Sequence, residues 1–154
     1  MKQISIIIPC HNEQDNIDFL QQQLTQTADT FNNYQWLFLY IDDGSEDDTI
    51  NRIKQLRKYD NRIAYISLSR NFGKENALLA GFDHVKGDCA VIIDADLQHP
   101  IHLISTMIHL WEEGYDDIYA QQNRDQQPML RLLQISHFIN TLHPAPRSEE
   151  RRVG

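Results

Sequence analysis

The chain alternates short apolar runs, rich in β-branched residues, with segments whose apolar residues recur at helical spacing. The runs predict strands at 4–9, 36–42, 63–68, 89–94 and 118–120. The helical stripes are Ile17, Leu20, Leu24, Ala28 and Phe31; Ile50, Ile53 and Leu56; and Ile101, Ile104, Ile108 and Trp111. Gly73 precedes a further helix predicted over 74–84. Because such alternation is typical of βαβ units, we expect a Rossmann-like, three-layer α/β fold with a mainly parallel sheet flanked by helices.

Polar clusters follow the predicted strands at their carboxyl ends, where open parallel sheets bind ligands. These clusters are residues 9–13 (PCHNE), 42–45 (DDGS), 70–74 (RNFGK) and 94–96 (DAD). The ends of parallel strands lie along one edge of a sheet, so we expect the clusters to form a single site. The sequence contains neither a Gly-x-Gly-x-x-Gly fingerprint after the first strand nor a P-loop motif. A nucleotide would therefore be held in another way.

The strongest chemical feature is Asp94-Ala95-Asp96, which ends the fourth predicted strand. Two carboxylates at this spacing in an extended segment point to the same side. Such hard oxygen ligands suit Mg²⁺ or Mn²⁺ that carries the phosphates of a substrate. A strand that ends in a turn is the alternative explanation for an Asp-x-Asp triplet. The triplet alone does not distinguish the two.

Length, charge and cysteine content narrow the function classes. At 154 residues the chain amounts to one domain, which is short for an enzyme with two substrates. The formal net charge of −8 disfavours a nucleic-acid-binding surface, which needs clustered positive charge. Cys10 and Cys89 lack the number and spacing of a disulfide framework or zinc site, so we expect reduced, buried thiols. No signal peptide or membrane-spanning run is recognised, and we expect a cytoplasmic chain.

Several polar residues have structural explanations. Ser45 is expected to cap the second helix, with Asp48 in a capping-box-like position and Asp47 near the positive end of the helix dipole. His99 and His102 share a helix face, but no further carboxylate or cysteine stands at zinc-like spacing. We therefore interpret these histidines as surface or cap residues.

The sequence pattern changes after about residue 122. We interpret 126–146 as a linker with an amphipathic helix over 129–142 that ends before two prolines. Residues 147–154 are polar and offer little to a core, so we expect disorder there. The composition break near Pro146 also raises the hypothesis of a non-native tail.

Taken together, the motifs resemble those of family 2 inverting glycosyltransferases of the GT-A fold. The resemblance is narrower to the branch that transfers sugars to polyprenyl phosphates, which includes dolichol-phosphate mannose synthases and undecaprenyl-phosphate glucosyltransferases. The matching stretches, in family order over about residues 3–121, are 5–13 (SIIIPCHNE), 41–45 (IDDGS) with Asp48 and Thr49, 69–74 (SRNFGK) and 94–100 (DADLQHP). Each piece is weakly specific alone, and their combination carries the resemblance.

The resemblance implies which residues bind a nucleotide-sugar donor. By position these residues are Pro9, His11, Glu13, Ile41, Asp43, Asp94, Ala95 and Asp96. A carboxylate such as Asp43 can accept the imide N–H of uracil or an N–H of guanine. An Asx-type turn before Gly44 is the alternative role for Asp43, and an exposed position in the first turn of a helix is the alternative for Glu13.

The resemblance also implies Mg²⁺ or Mn²⁺ as cofactor, bound by Asp94, Asp96 and Gln98. The cation would neutralise the leaving nucleoside diphosphate, so that the acceptor displaces it with inversion at the sugar carbon. A polyprenyl phosphate needs little deprotonation to act as nucleophile. Lys74, beside a helix N-terminus, either touches phosphate or remains solvated, and is left outside the predicted site.

Family members continue beyond this length into an acceptor-side motif, and many then carry transmembrane helices. We therefore expect 1–125 to be a donor-binding domain, and the catalytic residues are unknown because the acceptor-side motif is absent from this chain. Membrane association, at the cytoplasmic face, would come only through further C-terminal segments. The alternatives are a donor-binding fragment without turnover, or a family 2 enzyme with a glycan or other lipid acceptor. A phosphatase of the haloacid-dehalogenase type is disfavoured, because the first strand lacks a nucleophilic Asp and Gln98 stands where Thr is needed.

Overall fold

Within the residues that the structure describes, six β-strands form one mainly parallel sheet. The computed structural model describes residues 1–98, 101–120 and 130–134. The strands are β1 (Gln3–Cys10), β2 (Gln35–Asp42), β3 (Ile63–Ser67), β4 (Cys89–Ile93), β5 (Asp117–Ala120) and β6 (Leu130–Gln134). They lie side by side in the order β3-β2-β1-β4-β6-β5. The pairs β1–β2, β1–β4 and β2–β3 are parallel, and β6 is antiparallel to both β4 and β5.

Helices cover both faces of this sheet. In the described part of the chain they are α1 (Ile17–Thr30), α2 (Thr49–Tyr59), α3 (Lys74–His84) and α4 (Leu103–Glu112). Leu20 of α1, Ile53 of α2 and Ile108 of α4 belong to one buried cluster, together with Ile6 of β1. The neighbouring strand residue, Ile7, faces the opposite side and packs with α3, because successive strand side chains alternate between faces. The three-layer arrangement predicted from the sequence is confirmed.

One predicted element is wrong. The amphipathic helix expected over 129–142 is not formed at Leu130–Gln134, which is strand β6. This strand lies between β4 and β5, with Leu130 opposite Ile93 and Leu132 opposite Val91. An apolar run this short fits the spacing of a helix as well as that of a strand. Pairing with β6 supplies hydrogen-bond partners for the backbone at an edge of β4 that would otherwise be open. The rest of the predicted linker, helix and tail lies outside the described residues, and the domain boundaries stay a prediction.

The predicted cap of the second helix is also wrong. Helix α2 begins at Thr49 with Asp48 as its N-cap, three positions beyond Ser45. Ser45 Oγ instead accepts the backbone N–H of Asn12 at 2.9 Å. Asp47 Oδ1 accepts the N–H of Thr49 at 2.9 Å, so a residue outside the helix satisfies the first turn. A contact between loops has therefore replaced the local capping box that the sequence suggests.

The positions of Cys10, Cys89 and His102 agree with their structural interpretations. Cys10 and Cys89 are free and buried. Burial is the main cause that raises the pKa of both thiols, to about 12 for Cys89, so both are neutral at physiological pH. His102 is exposed at the N-cap position of α4, whereas His99 lies outside the described residues. In the part of the chain that is described, no helix combines the length and the apolar character required to cross a bilayer.

A buried hydrogen bond in the layer between α1 and β2 provides a test of the fold. Tyr40 is fully buried, and its hydroxyl donates to Gln21 Oε1 at 2.9 Å. Burial raises the pKa of Tyr40 well above its usual range, so the hydroxyl keeps its proton. Tyr40→Phe would leave the buried amide oxygen without this donor, and we expect the free energy of unfolding to fall by about 1.5 kcal/mol.

Urea denaturation followed by circular dichroism measures this effect. Tyr59→Phe is the matched control, because Tyr59 is 90% exposed. The control should change stability by less than about 0.5 kcal/mol. Equal effects of the two substitutions would contradict the role given to the Tyr40 hydroxyl.

Candidate functional site

A pocket of about 360 Å³ opens at the carboxyl edge of the parallel strands. Among the residues predicted to bind the donor, those that line it are Pro9, His11, Glu13, Asp43, Asp94, Ala95 and Asp96. Asn71, Gly73 and Lys74 from the loop after β3 also line the pocket, together with Cys10 and Ala77. Residues from all the polar clusters recognised in the sequence therefore meet in one place, although their individual roles remain predictions.

The loops that follow β1 and β2 are tied together by reciprocal hydrogen bonds. Side chains of the first loop accept from the second: Asn12 Oδ1 from the N–H of Glu46 (2.8 Å) and Gln14 Oε1 from that of Asp48 (2.9 Å). In return, Ser45 Oγ, Thr49 Oγ1 and Asp47 Oδ2 accept from Asn12 (2.9 Å), Glu13 (2.8 Å) and Gln14 (3.2 Å). These contacts fix one wall of the pocket through bonds within the protein.

Asp47 has the structural role that the sequence suggested, through different contacts. Partial burial acts to raise the pKa of Asp47, but hydrogen bonds from Thr49 and Gln14 outweigh this effect and hold the pKa below its usual range. The ionised carboxylate is thus favoured by two backbone N–H groups, one from the loop after β1 and one from the first residue of α2. Asp47 supports the pocket wall without lining the pocket itself.

The orientation of the His11 ring follows from its neighbours. Asn12 Oδ1 accepts the Glu46 N–H, so the Asn12 amide presents Nδ2 to His11 Nε2 at 3.2 Å. His11 Nε2 therefore accepts, and Nδ1–H donates to the backbone oxygen of Asp43 at 2.8 Å. This tautomer holds the imidazole against the pocket wall with both nitrogens engaged. Asn12 itself has a φ of 55°, a left-handed conformation that asparagine tolerates.

Asp43 links the loop after β3, which forms another part of the pocket wall, to the loop after β2. Its side chain is buried, and its two oxygens accept the backbone N–H groups of Phe72 (2.8 Å) and Gly73 (2.9 Å). The turn at Gly44 is held instead by Asp42, whose Oδ1 accepts the N–H of Ser45 at 3.1 Å. The Asx-turn alternative therefore does not apply to Asp43, whose oxygens bond the loop after β3, and the Asp42 contact spans three residues rather than the two of an Asx turn. Each Asp43 oxygen keeps a further lone pair with which to accept from a ligand.

The sequence alone did not show how exposed Glu13, Ile41 and Gln98 are or whether their side chains line the pocket. Glu13 is half-buried and precedes α1, where its Oε2 accepts Asn16 Nδ2 at 2.6 Å, so it is not a first-turn helix residue. The Ile41 side chain is fully buried in the core beneath α3 and does not line the pocket. The Gln98 side chain is exposed, and its backbone N–H donates to Asp96 Oδ1 at 3.0 Å.

The loop after β4 places the acidic pair opposite Lys74. Lys74 Nζ lies 2.5 Å from Asp94 Oδ1 and 2.6 Å from Asp94 Oδ2. Asp96 and Asp94 both line the pocket, with Ala95 between them. Leu97 follows with a φ of 61°, a conformation that costs a non-glycine residue on the order of 1–3 kcal/mol. Its packing against the main core stabilises this strained turn.

The donor set at this loop fits a hard divalent cation that also binds a substrate. No cluster of three or more His, Cys, Asp or Glu ligands occurs among the described residues, so these residues alone offer no closed cage. Mg²⁺ and Mn²⁺ sites on phosphorylated substrates commonly need only one or two carboxylates, with phosphate oxygens and water completing the shell. Asp94 and Asp96 satisfy that requirement, whereas Gln98 is exposed and is not among the residues that line the pocket, so its role as a ligand stays a prediction.

The sequence has clear relatives among known proteins. It is 44% identical over 147 residues to CsbB of Bacillus subtilis (strain 168), a protein that carries the name of a glycosyltransferase. It is 38% identical over 140 residues to the undecaprenyl-phosphate 4-deoxy-4-formamido-L-arabinose transferase of Shewanella sediminis (strain HAW-EB3). These matches cover 94% and 90% of the chain but only 44% and 42% of the two relatives, so the chain spans less than half of their length.

A solved structure shares the fold. The mannosyltransferase PcManGT from Pyrobaculum calidifontis, in complex with GDP-Man and Mn²⁺, superposes with a TM-score of 0.68 at 17% identity. This match covers 94% of the chain and 48% of that protein, and it confirms the GT-A fold. The sequence model described as Glycosyl transferase family 2 matches residues 5–153, which is most of the chain. The chain therefore belongs to glycosyl transferase family 2.

Proposed function

We propose that this chain is the donor-binding part of an inverting glycosyltransferase that moves a sugar from a UDP- or GDP-sugar to an acceptor, preferably a polyprenyl phosphate. The observation that carries the proposal is the pocket that Asp43 and the Asp94-Ala95-Asp96 loop line together. The names of the relatives support it, since one is an undecaprenyl-phosphate sugar transferase and a structural neighbour binds GDP-Man.

Different parts of the pocket lining suit the two ends of a nucleoside diphosphate, which are the nucleoside and the diphosphate. Pro9, His11 and Glu13 line one side with Asp43, whose oxygens retain lone pairs for an N–H of a base. The fixed His11 ring offers a flat surface for the base or ribose. Ile41 would contribute only through its backbone, because its side chain lies in the core. These groups bind and orient the nucleoside before any sugar transfer.

The acidic loop suits the diphosphate end. A divalent cation bound there supplies Lewis-acid neutralisation of the charge that develops on the leaving nucleoside diphosphate. Asp94 and Asp96 would hold this end of the donor in place, because both line the pocket on the loop that follows β4. A polyprenyl phosphate oxygen is already ionised at neutral pH, so the reaction needs no strong general base from this chain.

Nucleotide binding with and without metal tests the proposal. We expect UDP or GDP to bind the purified chain in Mn²⁺ or Mg²⁺, as measured by isothermal titration calorimetry. Chelation with EDTA should weaken this binding by about tenfold or more, because the diphosphate would then meet uncompensated carboxylates. Binding of equal strength in EDTA, or no binding of either nucleotide to folded protein, would contradict the proposal.

A donor-binding fragment without turnover is the second candidate. The observation that favours it is the coverage of less than half of each relative's length. Transfer of a radiolabelled sugar to polyprenyl phosphate, compared between this chain and a version extended to the relatives' length, separates the two. A glycan or another lipid in place of polyprenyl phosphate, in the same assay, tests the remaining alternative acceptors.

A further inference from the structure

Lys74 is the first residue of α3, and its ammonium contacts both carboxylate oxygens of Asp94. The Lys74 side chain is 58% exposed, while that of Asp94 is 19% exposed. Because the lysine end of this ion pair is mostly exposed, solvent screens the pair and it contributes little to stability. The contact is therefore easily exchanged for another one.

The charge of the pocket gives this lysine a special position. Among the described residues that line the pocket, Glu13, Asp43, Asp94 and Asp96 are acidic, and Lys74 carries the one permanent positive charge. A diphosphate that enters such a pocket is repelled by the carboxylates unless cations intervene. Among the described residues that line the pocket, Lys74 is thus the one whose side chain can attract the diphosphate.

The start of α3 adds to this attraction. Gly73, Lys74 and Ala77 all line the pocket, so the N-terminal end of this eleven-residue helix faces the space that a donor would fill. The partial positive charge at a helix N-terminus favours phosphate. The helix end and the Lys74 ammonium therefore act on the same part of a ligand.

A divalent cation on Asp94 changes the balance for Lys74. The ammonium bridges both Asp94 oxygens, which is the place that the proposed function assigns to the cation. Two positive charges at this distance repel one another, so they cannot share the carboxylate at low cost. The long and exposed lysine side chain can turn toward a diphosphate held beside the cation.

We infer that Lys74 is a donor-binding residue that rests on Asp94 in the donor-free protein and transfers to the diphosphate when the cation and the nucleotide bind. This inference rests on the proposed function and extends it, since it assigns a residue left outside the predicted site. It requires that Lys74 oppose the cation when no nucleotide is present and assist the nucleotide when the cation is present.

Lys74→Met tests both requirements, because methionine keeps most of the side-chain length and removes the charge. Free Mn²⁺ measured by electron paramagnetic resonance should show that Mn²⁺ alone binds about threefold more tightly to the variant. Calorimetry at saturating Mn²⁺ should show that UDP or GDP binds about tenfold more weakly. Lys74→Arg keeps the positive charge and should retain most of the nucleotide affinity. Lys54→Met, an exposed site on α2, is the control and should change neither constant.

The outcomes distinguish this inference from the proposed function. If folded wild-type protein binds neither UDP nor GDP in Mn²⁺, the proposed function fails, and the role of Lys74 fails with it. If the wild type binds and Lys74→Met binds equally well, only the role of Lys74 is overturned. If nucleotide affinity falls while Mn²⁺ affinity stays unchanged, the exchange on Asp94 is overturned. Thermal melting that matches the wild type shows that each variant is folded, and Lys74→Gln replaces Lys74→Met if the latter is not.

Discussion

Asp96→Ala is expected to weaken the binding of UDP or GDP in Mn²⁺ by about a hundredfold or more, equivalent to about 2.7 kcal/mol. Asp94 shares its charge with Lys74, whereas the contact recorded for Asp96 within the described residues is the Gln98 N–H on Oδ1. Asp96 therefore presents the stronger ligand for a cation in this loop. Its loss would leave the diphosphate beside Glu13, Asp43 and Asp94 with reduced cation binding.

The same substitution also removes the acceptor of the Gln98 N–H, so loss of charge and loss of loop structure must be separated. Asp96→Asn keeps an oxygen for Gln98 and removes only the charge. We expect it to melt at the temperature of the wild type and to lose most of the nucleotide affinity. Asp83→Ala, at an exposed site near the other end of α3, is a control for the change in net charge. If Asp96→Asn bound UDP and GDP as tightly as the wild type, the carboxylate would have no role in the donor site.

The location of the site was predictable from the sequence because it depends on a general property of parallel sheets. Polar clusters at the ends of β1, β2 and β4 had to meet at one edge, and Pro9, Asp43 and Asp96 do so. Ile41 was included by position in a motif, but strand alternation buries its side chain beneath α3. Counting every second residue along the strand places Ile41 on the same face as Asp43. Alternation alone therefore does not reveal that α3 covers this face at Ile41 but not at Asp43.

The features that the sequence did not reveal depend on contacts between distant segments. Ser45 has the spacing of a helix cap, but the neighbouring loop engages its hydroxyl through Asn12. The segment Leu130–Gln134 has no local signal that excludes a helix, and pairing with β4 and β5 makes it a strand. Lys74 was recognisable as a residue near a helix N-terminus, yet only the fold shows that α3 brings it to Asp94.

Gly44→Ala is expected to lower the free energy of unfolding by about 3 kcal/mol or more, with a fall in melting temperature of about 10 °C. Gly44 has a φ of 65°, which an L-residue adopts only at a cost. A Cβ atom built at Gly44 would also lie 2.3 Å from the carbonyl carbon of Arg70 and 2.6 Å from the backbone nitrogen of Asn71. These are backbone atoms of the loop after β3, so a side-chain rotation cannot relieve the overlap. The smaller freedom of alanine in the unfolded chain offsets only about 0.4–1 kcal/mol of this cost.

Gly114→Ala provides the matched control for the close approach. Gly114 has a φ of 103°, but a Cβ atom there would meet nothing within 4 Å. It should therefore show the cost of backbone conformation alone, about 1–2 kcal/mol, without the overlap. The difference between the two variants in urea denaturation measures the contact between the Gly44 turn and the loop after β3. Asn71 and Gly73 of that loop line the pocket, so Gly44→Ala should also weaken nucleotide binding, whereas Gly114→Ala should not. Equal destabilisation by the two substitutions, with unchanged nucleotide affinity, would show that this loop does not need the close approach at Gly44 to form the pocket wall.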